Sequence, residues 1–273
     1  MIREDSTVYI ATVSGGKDSV TMCDLLLKNG YPVDEIIFTD TREELEEMYI
    51  YLEKVKEYFL TRYKKTITVL KPKKTFAHWA LGTIQKDSAK RKGMVRGIPT
   101  KDGMCYWRRE SKINPMEKYL KEKYKDEQIT FYIGYTKGEN RSVKETEKFK
   151  YIYPLQDVFM MTEENCKQYL STQDMENPLY RHFSRTGCAI CPFQSDKSWF
   201  NVWKHYPLVW IQMKEMENIF NEYEKQGVKV INKYWFVNHK TIEQKEEEFK
   251  KIDSQGSLFD FSDEPLKDCF CKI

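Results

Sequence analysis

Apolar and polar residues alternate along the first two thirds of the chain in a pattern that predicts strands followed by helices. Short apolar runs predict five strands, at residues 7–13, 34–40, 66–70, 127–135 and 151–155. Apolar residues spaced three and four apart predict helices between and after them, at 19–29, 42–62, 114–123 and 163–170. Such alternation is typical of a parallel sheet with right-handed crossovers, so the predicted fold class is α/β.

The last third of the chain has no such alternation. Aromatic residues at helical spacing over 199–224 predict one or two helices that pack in a core against the sheet domain. Residues 240–251 predict a charged, solvated helix. We therefore expect two domains, a sheet domain over 1–180 and a mostly helical region over 181–273 that carries a Cys-x-x-Cys knuckle.

Composition bounds the class of protein. The 273 residues are 40% hydrophobic and 32% charged, with a net charge of +3, as in a soluble globular protein without a polyelectrolyte partner for its whole surface. An apolar run of about 18 residues, which a transmembrane helix needs, is missing. The polar first residues argue against a signal peptide, so we expect a cytoplasmic protein without a membrane partner. The oligomeric state is not predicted.

A glycine-rich segment, Ser14-Gly15-Gly16-Lys17-Asp18-Ser19, joins the first predicted strand to the first predicted helix. Its two glycines let the backbone bend tightly and approach a ligand. The hydroxyls of Ser14 and Ser19, the N–H groups of the helix start and the Lys17 ammonium then converge on one point. Such a point suits a phosphate or pyrophosphate, although a glycine turn without a ligand is the alternative. The spacing is not that of a Walker A loop.

Polar residues also follow the second and fourth predicted strands. Thr39 and Asp40 end the second strand, where Asp40 could face the ribose or amine of a nucleotide or could cap the next helix. Arg141 lies in a polar loop after the fourth strand, where a guanidinium could clamp a phosphate bidentately. Parallel strands bind ligands beyond their C-terminal ends, so these residues are expected near the glycine loop.

The segment 86–112 is strongly basic. It carries nine basic residues against three acidic ones, and its glycines favour a loop over a single helix. A basic loop near a phosphate site suits an anionic substrate or a nucleic acid, and a solvated surface is the alternative. Trp79 and Trp107 could stack on bases, but burial in the core is the expected placement.

Seven cysteines in a cytoplasmic chain indicate a metal site, reactive thiols or core residues rather than disulfides. Cys23 and Cys166 lie within predicted helices and are expected in the core. The Cys188-x-x-Cys191 pair is half of a metal site, since zinc and iron–sulfur clusters take three or four ligands. The candidates for its completion are Cys105, Cys269 and Cys271. An iron–sulfur cluster is the preferred interpretation, with zinc or a redox dithiol as alternatives.

Four signatures, taken together, resemble those of one family. They are Ser14-Gly-Gly-Lys-Asp-Ser19, Phe38-Thr-Asp-Thr41 with Glu43, Ile133-Gly134 with Glu139 and Arg141, and Tyr153-Pro154-Leu155 followed by Asn177-Pro-Leu-Tyr180 and Gly187-Cys-x-x-Cys-Pro192. The chain resembles the phosphoadenosine phosphosulfate (PAPS) reductase family of the adenine-nucleotide α-hydrolase-like PP-loop superfamily. The resemblance implies a Rossmann-like, HUP-type sheet with helices on both faces that binds an adenylyl nucleotide. It also implies an iron–sulfur cluster, which many relatives carry on cysteines.

The chain departs from that family at the loop and at the tail. Lys17, which reductases of the family usually lack, suits the extra charge of ATP, and the tail reads Asp268-Cys-Phe-Cys-Lys272 in place of the reductase ending. We therefore expect an ATP pyrophosphatase acting in sulfur transfer to a nucleic acid or nucleotide. Lys17, Asp18 and Arg141 would act in catalysis, Mg²⁺ would be held near Asp18 or Asp40, and the cluster, as a 4Fe-4S cluster, would serve sulfur delivery from a separate donor. The alternatives are a thiol-dependent sulfonucleotide reductase that attacks with Cys269 or Cys271, and a nucleotide-binding module without turnover.

Overall fold

Five short strands form a single parallel sheet in the computed structural model, which describes residues 6–99, 105–236 and 238–255. The strands are Thr7–Thr12 (β1), Glu35–Thr39 (β2), Ile67–Leu70 (β3), Gln128–Tyr132 (β4) and Phe149–Ile152 (β5). Their order across the sheet is β3-β2-β1-β4-β5, and every neighbouring pair is parallel. The prediction of an α/β, Rossmann-like sheet is confirmed.

Helices follow the strands and continue to the end of the described chain. The α-helices are Lys17–Lys28 (α1), Glu46–Tyr63 (α2), Phe76–Leu81 (α3), Tyr106–Arg108 (α4), Asn114–Lys123 (α5), Pro154–Asp157 (α6), Glu163–Thr172 (α7), Asp196–His205 (α8), Pro207–Lys225 (α9) and Ile242–Gln255 (α10). A π-helical turn, Arg109–Ile113, precedes α5, and a 3₁₀ turn covers Pro178–Arg181. Of the one or two helices predicted over 199–224, the structure has two, and they are divided before Pro207.

Alternate residues of the central strands point to opposite faces of the sheet. On one face Val8, Ile10 and Phe131 pack in one core cluster with Met116 and Leu120 of α5. The residues between them point the other way, and there the rings of Tyr9 and Tyr132 stack with centroids 5.9 Å apart. Both faces of β1 and β4 are therefore apolar, as expected for central strands of a parallel sheet.

The chain divides into two compact units. The first consists of residues up to Lys71 together with Ser111–Arg181, and it contains the whole sheet. The second consists of the described residues of Pro72–Glu110 and those from His182 onward. The division into domains at residue 180 stays a prediction, and these units are not two uninterrupted stretches of chain.

Aromatic residues build the core of the second unit. The ring of Trp199 lies 5.4 Å from that of Phe236, and the rings of Trp210 and Phe249 lie 5.8 Å apart, measured between centroids. The Trp235 indole N–H donates to the Met213 carbonyl at 3.1 Å, so burial leaves this polar group satisfied. The predicted core placement is confirmed for Trp199, Phe200, Trp210 and Phe220, which are buried, and packing against the sheet domain stays a prediction.

The last described helix, α10, corrects the expectation of a solvated charged helix. Ile242 and Phe249 are fully buried, and the side chain of Lys245 is only 3% exposed. The Lys245 ammonium is compensated by Asp196 at 3.0 Å and by Glu248 at 3.3 Å. The helix is amphipathic, but the sequence pattern did not indicate its buried face. A lysine in a sequence predicts an exposed position, whereas this lysine is buried with two carboxylate partners.

Within the described ranges, every helix is too short or too polar to cross a bilayer.

Candidate phosphate-binding site and cysteine pair

The glycine loop lies where the order of the strands reverses. The chain runs from β1 to β2 and β3 on one side and then returns to β4 on the other side of β1. In parallel sheets, the crevice beyond the strand ends at such a point is the usual ligand site. The loop that contains Ser14–Ser19 follows β1, and the loop that begins at Ile133 follows β4. The topology therefore brings two of the predicted site segments to one end of the sheet.

Gly134 shows how closely these two loops approach each other. A Cβ atom at this position would lie 3.1 Å from both the backbone nitrogen and the Cα of Ser19, and 3.2 Å from the carbonyl carbon of Asp18. These are backbone atoms that cannot turn aside, so only glycine fits without displacement. The start of α1 is thus packed directly against the end of β4.

The two serine hydroxyls of the glycine loop bind each other and the loop itself. Their Oγ atoms lie 3.1 Å apart, the Ser14 N–H donates to the Ser19 Oγ at 3.0 Å, and the Ser19 hydroxyl donates to the Gly16 carbonyl at 3.0 Å. A hydroxyl has a single proton to donate, which Ser19 uses within the loop. These contacts fix the shape of the turn before α1, and the expectation that both hydroxyls also bind phosphate stays a prediction.

A distant asparagine completes the loop. Gly15 has a positive φ of 76°, which glycine adopts without strain, and its carbonyl accepts a hydrogen bond from the Asn177 amide at 2.8 Å. The Asn177 carbonyl oxygen in turn accepts the Leu179 N–H at 2.9 Å. Asn177 is only 2% exposed. One buried side chain therefore ties the glycine loop to the turn that starts at Pro178.

Lys17 is surrounded by polar partners at the first position of α1. The Lys17 ammonium lies 2.7 Å from the Glu163 carboxylate and 3.4 Å from the Asp18 carboxylate. The Lys17 backbone N–H donates to the Tyr180 hydroxyl at 2.9 Å. Burial lowers the pKa of Lys17, but the neighbouring Tyr180, Asp18 and Glu163 outweigh it and raise the pKa above its ordinary value. The ammonium is therefore charged at any physiological pH.

Asp40 is buried and held by three groups. Its carboxylate accepts from the Arg42 N–H at 2.7 Å and from the Tyr49 hydroxyl at 3.0 Å, and it pairs with the Lys71 ammonium at 3.2 Å. It is not the cap of α2, which begins at Glu46 after Leu45, so the capping alternative is wrong. Asp40 and the preceding Thr39 lie at the end of β2, and a contact with a nucleotide stays a prediction.

Arg141 is partly buried in the loop that follows β4. Its guanidinium lies 3.9 Å from a Glu139 carboxylate oxygen. The other Glu139 oxygen accepts from the Thr136 N–H at 2.8 Å, so the acidic partner is itself fixed. The assignment of Arg141 to a phosphate stays a prediction.

The described part of the basic segment exposes most of its charge. Four basic side chains are exposed between the bridged residues Thr83 and Val95: Lys86, Lys90, Arg91 and Lys92. One of them, Lys92, pairs with Asp87 at 2.5 Å. Trp107 is buried, which confirms its expected placement in a core. Trp79 is half-buried, with the Lys74 ammonium and the Arg96 guanidinium 5.6 and 5.2 Å from its ring centroid.

The Cys-x-x-Cys pair forms a tight turn in the second unit. The Cys191 N–H donates to the Cys188 carbonyl at 3.1 Å, and the side chain of Gln194 donates to the Ala189 carbonyl at 2.7 Å. Both cysteines are half-buried, as is Cys105. Cys23 and Cys166 are buried, which confirms their core placement, and burial raises the pKa of the Cys23 thiol.

A resident metal is supported only in part by this geometry. Over the described ranges, no three histidine, cysteine or acidic side chains come together in a group able to hold a metal. Within those ranges, Cys105 is not joined to Cys188 and Cys191 in such a group. The other candidates, Cys269 and Cys271, lie outside the described residues. The assignment of these cysteines as ligands stays a prediction.

Sequence reasoning missed the residues that hold the loop from a distance. Glu163, Asn177 and Tyr180 all lie far from the loop along the chain, and each contacts it directly. The Asn177-Pro-Leu-Tyr180 motif was a usable signal, because an asparagine before a proline predicts a turn rather than a helix interior. Its partner could not be identified from the sequence.

Comparison with known proteins assigns the chain to a family. Residues 8–194, more than half of the chain, match the phosphoadenosine phosphosulfate reductase domain. The chain belongs to this family, which is part of the PP-loop adenine-nucleotide α-hydrolase-like superfamily. The predicted family membership is confirmed.

The individual proteins that the chain matches share less than a third of its residues. An uncharacterized protein of Methanocaldococcus jannaschii is 28% identical over 224 residues, which are 78% of this chain and 41% of that protein. The chain thus spans about two fifths of the length of the curated relative that it matches. Among solved structures, the U34-tRNA thiolase NcsA of Methanococcus maripaludis with its 4Fe-4S cluster matches 82% of this chain and 72% of its own, at 14% identity and a TM-score of 0.37.

Proposed function

We propose that this protein is an ATP pyrophosphatase that activates an acceptor for sulfur transfer. The observation that carries the proposal is Lys17, a charged ammonium at the start of α1, in a glycine loop at the β1/β4 reversal point. Helix N-termini and lysine side chains both favour phosphate, and a triphosphate offers more charge to a lysine than a sulfonucleotide does. Family membership supports an adenine nucleotide as the ligand.

In this mechanism an oxygen of the acceptor attacks the α-phosphorus of ATP. The bond from the α-phosphorus to the bridging oxygen breaks, and pyrophosphate leaves with that electron pair. Lys17 stabilises the charge that develops on pyrophosphate, and Arg141 binds a non-bridging oxygen. A sulfur nucleophile then attacks the acceptor carbon that carries the adenylylated oxygen. The bond from that carbon to the oxygen breaks, and AMP leaves with the electron pair.

Mg²⁺ would neutralise the phosphate charges. Of its two candidate ligands, Asp18 and Asp40, Asp18 is the better placed. The Asp18 carboxylate lies beside Lys17 at the start of α1, whereas the Asp40 carboxylate is already engaged by Lys71 and Tyr49. Carboxylate and phosphate oxygens are the ligands that Mg²⁺ prefers. Asp40 would then act on the nucleoside rather than on the metal.

Cys188 and Cys191 would supply two ligands of an iron–sulfur cluster, completed by two or more of the remaining candidates. A cluster on cysteine thiolates supplies a site where sulfide is bound and held for transfer. The tight turn of this pair, closed by the bond between the Cys191 N–H and the Cys188 carbonyl, presents two thiols from neighbouring positions. Zinc would fit the same pair.

A nucleic acid is the acceptor class that the surface of the second unit supports. Lys86, Lys90 and Arg91 are exposed, and phosphate backbones bind such side chains in a salt-dependent way. Replacing Lys90 and Arg91 with glutamate should weaken binding of RNA or DNA and flatten its salt dependence. If the acceptor is a nucleotide instead, this replacement should leave the rate of turnover unchanged.

The alternative is a sulfonucleotide reductase, and the description of the matched family favours it. Here a thiolate attacks the sulfur of the substrate sulfate group, the bond from that sulfur to the phosphate oxygen breaks, and a second thiol releases sulfite. The attacking thiolate would be Cys269 or Cys271, outside the described residues. Sulfite release from PAPS with a dithiol, abolished when both are changed to serine, would establish this reaction.

The experiment that tests the main proposal uses ATP labelled at the α-phosphate. Anaerobically purified, iron-reconstituted protein is incubated with this ATP, Mg²⁺, sulfide and a tRNA, DNA or small-molecule acceptor. We expect AMP and pyrophosphate in equal amounts, dependent on one acceptor. Lys17→Ala should lower the rate on the order of a hundred-fold or more. Failure to form AMP with every acceptor class would contradict the proposal.

A further inference from the structure

Lys17 pairs with two carboxylates, and only one of them is fixed by burial. The Asp18 side chain is 9% exposed and follows Lys17 directly in α1. The Glu163 side chain is 58% exposed, although its oxygen lies closer to the ammonium, at 2.7 Å. Two negative charges thus face one positive charge. A phosphate approaching Lys17 meets an excess of negative charge unless one carboxylate leaves.

We propose that Glu163 is a built-in competitor for the phosphate that binds Lys17. A phosphate group takes the place of the Glu163 carboxylate on the ammonium, and Asp18 stays. The inference rests on the proposed function, because it requires that Lys17 is a phosphate ligand. It adds a residue that sets the affinity of the site without touching the reacting atoms.

The geometry around Glu163 makes this exchange a side-chain rotation. Glu163 is the first residue of α7, and the backbone there is held by a capping box in which Thr162 and Asn165 satisfy each other's N–H groups. The Glu163 side chain is itself largely exposed to solvent. Exposed ion pairs contribute little free energy, so water replaces the lost contact at a small cost. The helix stays in place while its first side chain turns away.

Lys17 does not have to move in the exchange. Its backbone N–H is held by the Tyr180 hydroxyl at 2.9 Å, and its ammonium lies 5.5 Å from the centroid of the Tyr180 ring. Its side chain is only 13% exposed. A bound phosphate and the Glu163 carboxylate would therefore meet the same ammonium in the same place.

The test measures pyrophosphate binding to the full chain by isothermal titration calorimetry, in a chelator-containing buffer free of divalent metal. Glu163→Gln should bind pyrophosphate more tightly than wild type, on the order of five-fold, which is the effect of removing one exposed charge pair. Glu164→Gln is the matched control, because Glu164 is the neighbouring exposed acid and contacts Gln168 rather than Lys17. This control should bind like wild type.

A further variant shows whether the effect passes through Lys17. In a Lys17→Gln background, Glu163→Gln should no longer change the affinity. Weaker binding by Glu163→Gln would overturn the inference, because the carboxylate would then support the site. Unchanged binding would also overturn it, because the carboxylate would then not compete with the phosphate. Equal binding by wild type and Glu163→Gln leaves the proposed function intact. Absence of pyrophosphate and ATP binding in every variant contradicts both proposals.

Discussion

The glycine loop and the Cys-x-x-Cys turn are both short, glycine-bearing motifs, yet they are stabilised in different ways. The glycine loop is held from outside itself by Glu163, Asn177 and Tyr180, and it is packed against Gly134. The cysteine turn, by contrast, is closed by hydrogen bonds from Cys191 and Gln194, which lie within six positions of Cys188.

The glycine loop therefore depends on residues far away in the sequence, whereas these hydrogen bonds close the cysteine turn locally. A turn closed by neighbouring backbone groups forms wherever the chain places it. A site that binds a charged ligand needs partners that only the folded chain brings together. The glycine loop has such partners within the first unit, whereas two thiols alone are half of a metal site.

The largest effect is expected at the cysteines. Cys188→Ser or Cys191→Ser should remove all or nearly all iron from anaerobically reconstituted protein, together with its absorption near ~400 nm, because a cluster that loses a thiolate is not retained. Pyrophosphate binding should remain within about two-fold of wild type. Cys166→Ala, at a buried thiol outside the pair, is the control that keeps its iron. Full iron content in both serine variants would place the ligands elsewhere.

The next effect is expected at Asn177. Asn177→Ala leaves the Gly15 carbonyl and the Leu179 N–H without their buried partner, which should lower the free energy of unfolding by about 3 kcal/mol. Urea denaturation measures this loss. Asn29→Ala removes an exposed amide that donates to the Leu25 carbonyl and should cost well under half as much. Similar losses at both positions would show that Asn177 does not anchor the loop.

A pair of glycines compares the two regions directly. Gly134→Ala places a Cβ against the backbone of Ser19 and should cost about 1–3 kcal/mol of stability and weaken ATP binding. Gly187→Ala, beside the cysteine turn, meets open space and should change neither quantity measurably. Thermal unfolding and nucleotide titration distinguish the two. If Gly134→Ala changed neither stability nor ATP binding, the loop after β4 would be able to move away from α1.

The smallest effect is expected at Tyr180. Tyr180→Phe keeps the ring beside the Lys17 ammonium but removes the acceptor for the Lys17 N–H, at a cost of about 1 kcal/mol. Faster amide hydrogen exchange at Lys17 and a small shift of the urea midpoint would report this loss. An effect larger than that of Asn177→Ala would reverse the ranking of the two anchors.

Much of the fold was predictable because its signals are local. Apolar runs located β1 to β5, and the helix that Thr162 caps was predicted from its polar start and apolar spacing. The charged run that became α10 was misjudged, because Lys245 reads as solvated until Asp196 and Glu248 are seen beside it. A polar residue in a sequence does not reveal whether a partner will compensate its burial.

The amino-acid sequence by itself determined the α/β class, the family and the position of the glycine loop before α1. These depend on residue spacing and on glycine, which act over a few positions. Only the tertiary structure decided that Lys17 meets Glu163, Asn177 binds Gly15 and Gly134 abuts Ser19. These contacts join positions more than a hundred residues apart, which only the folded arrangement of strands and helices brings together.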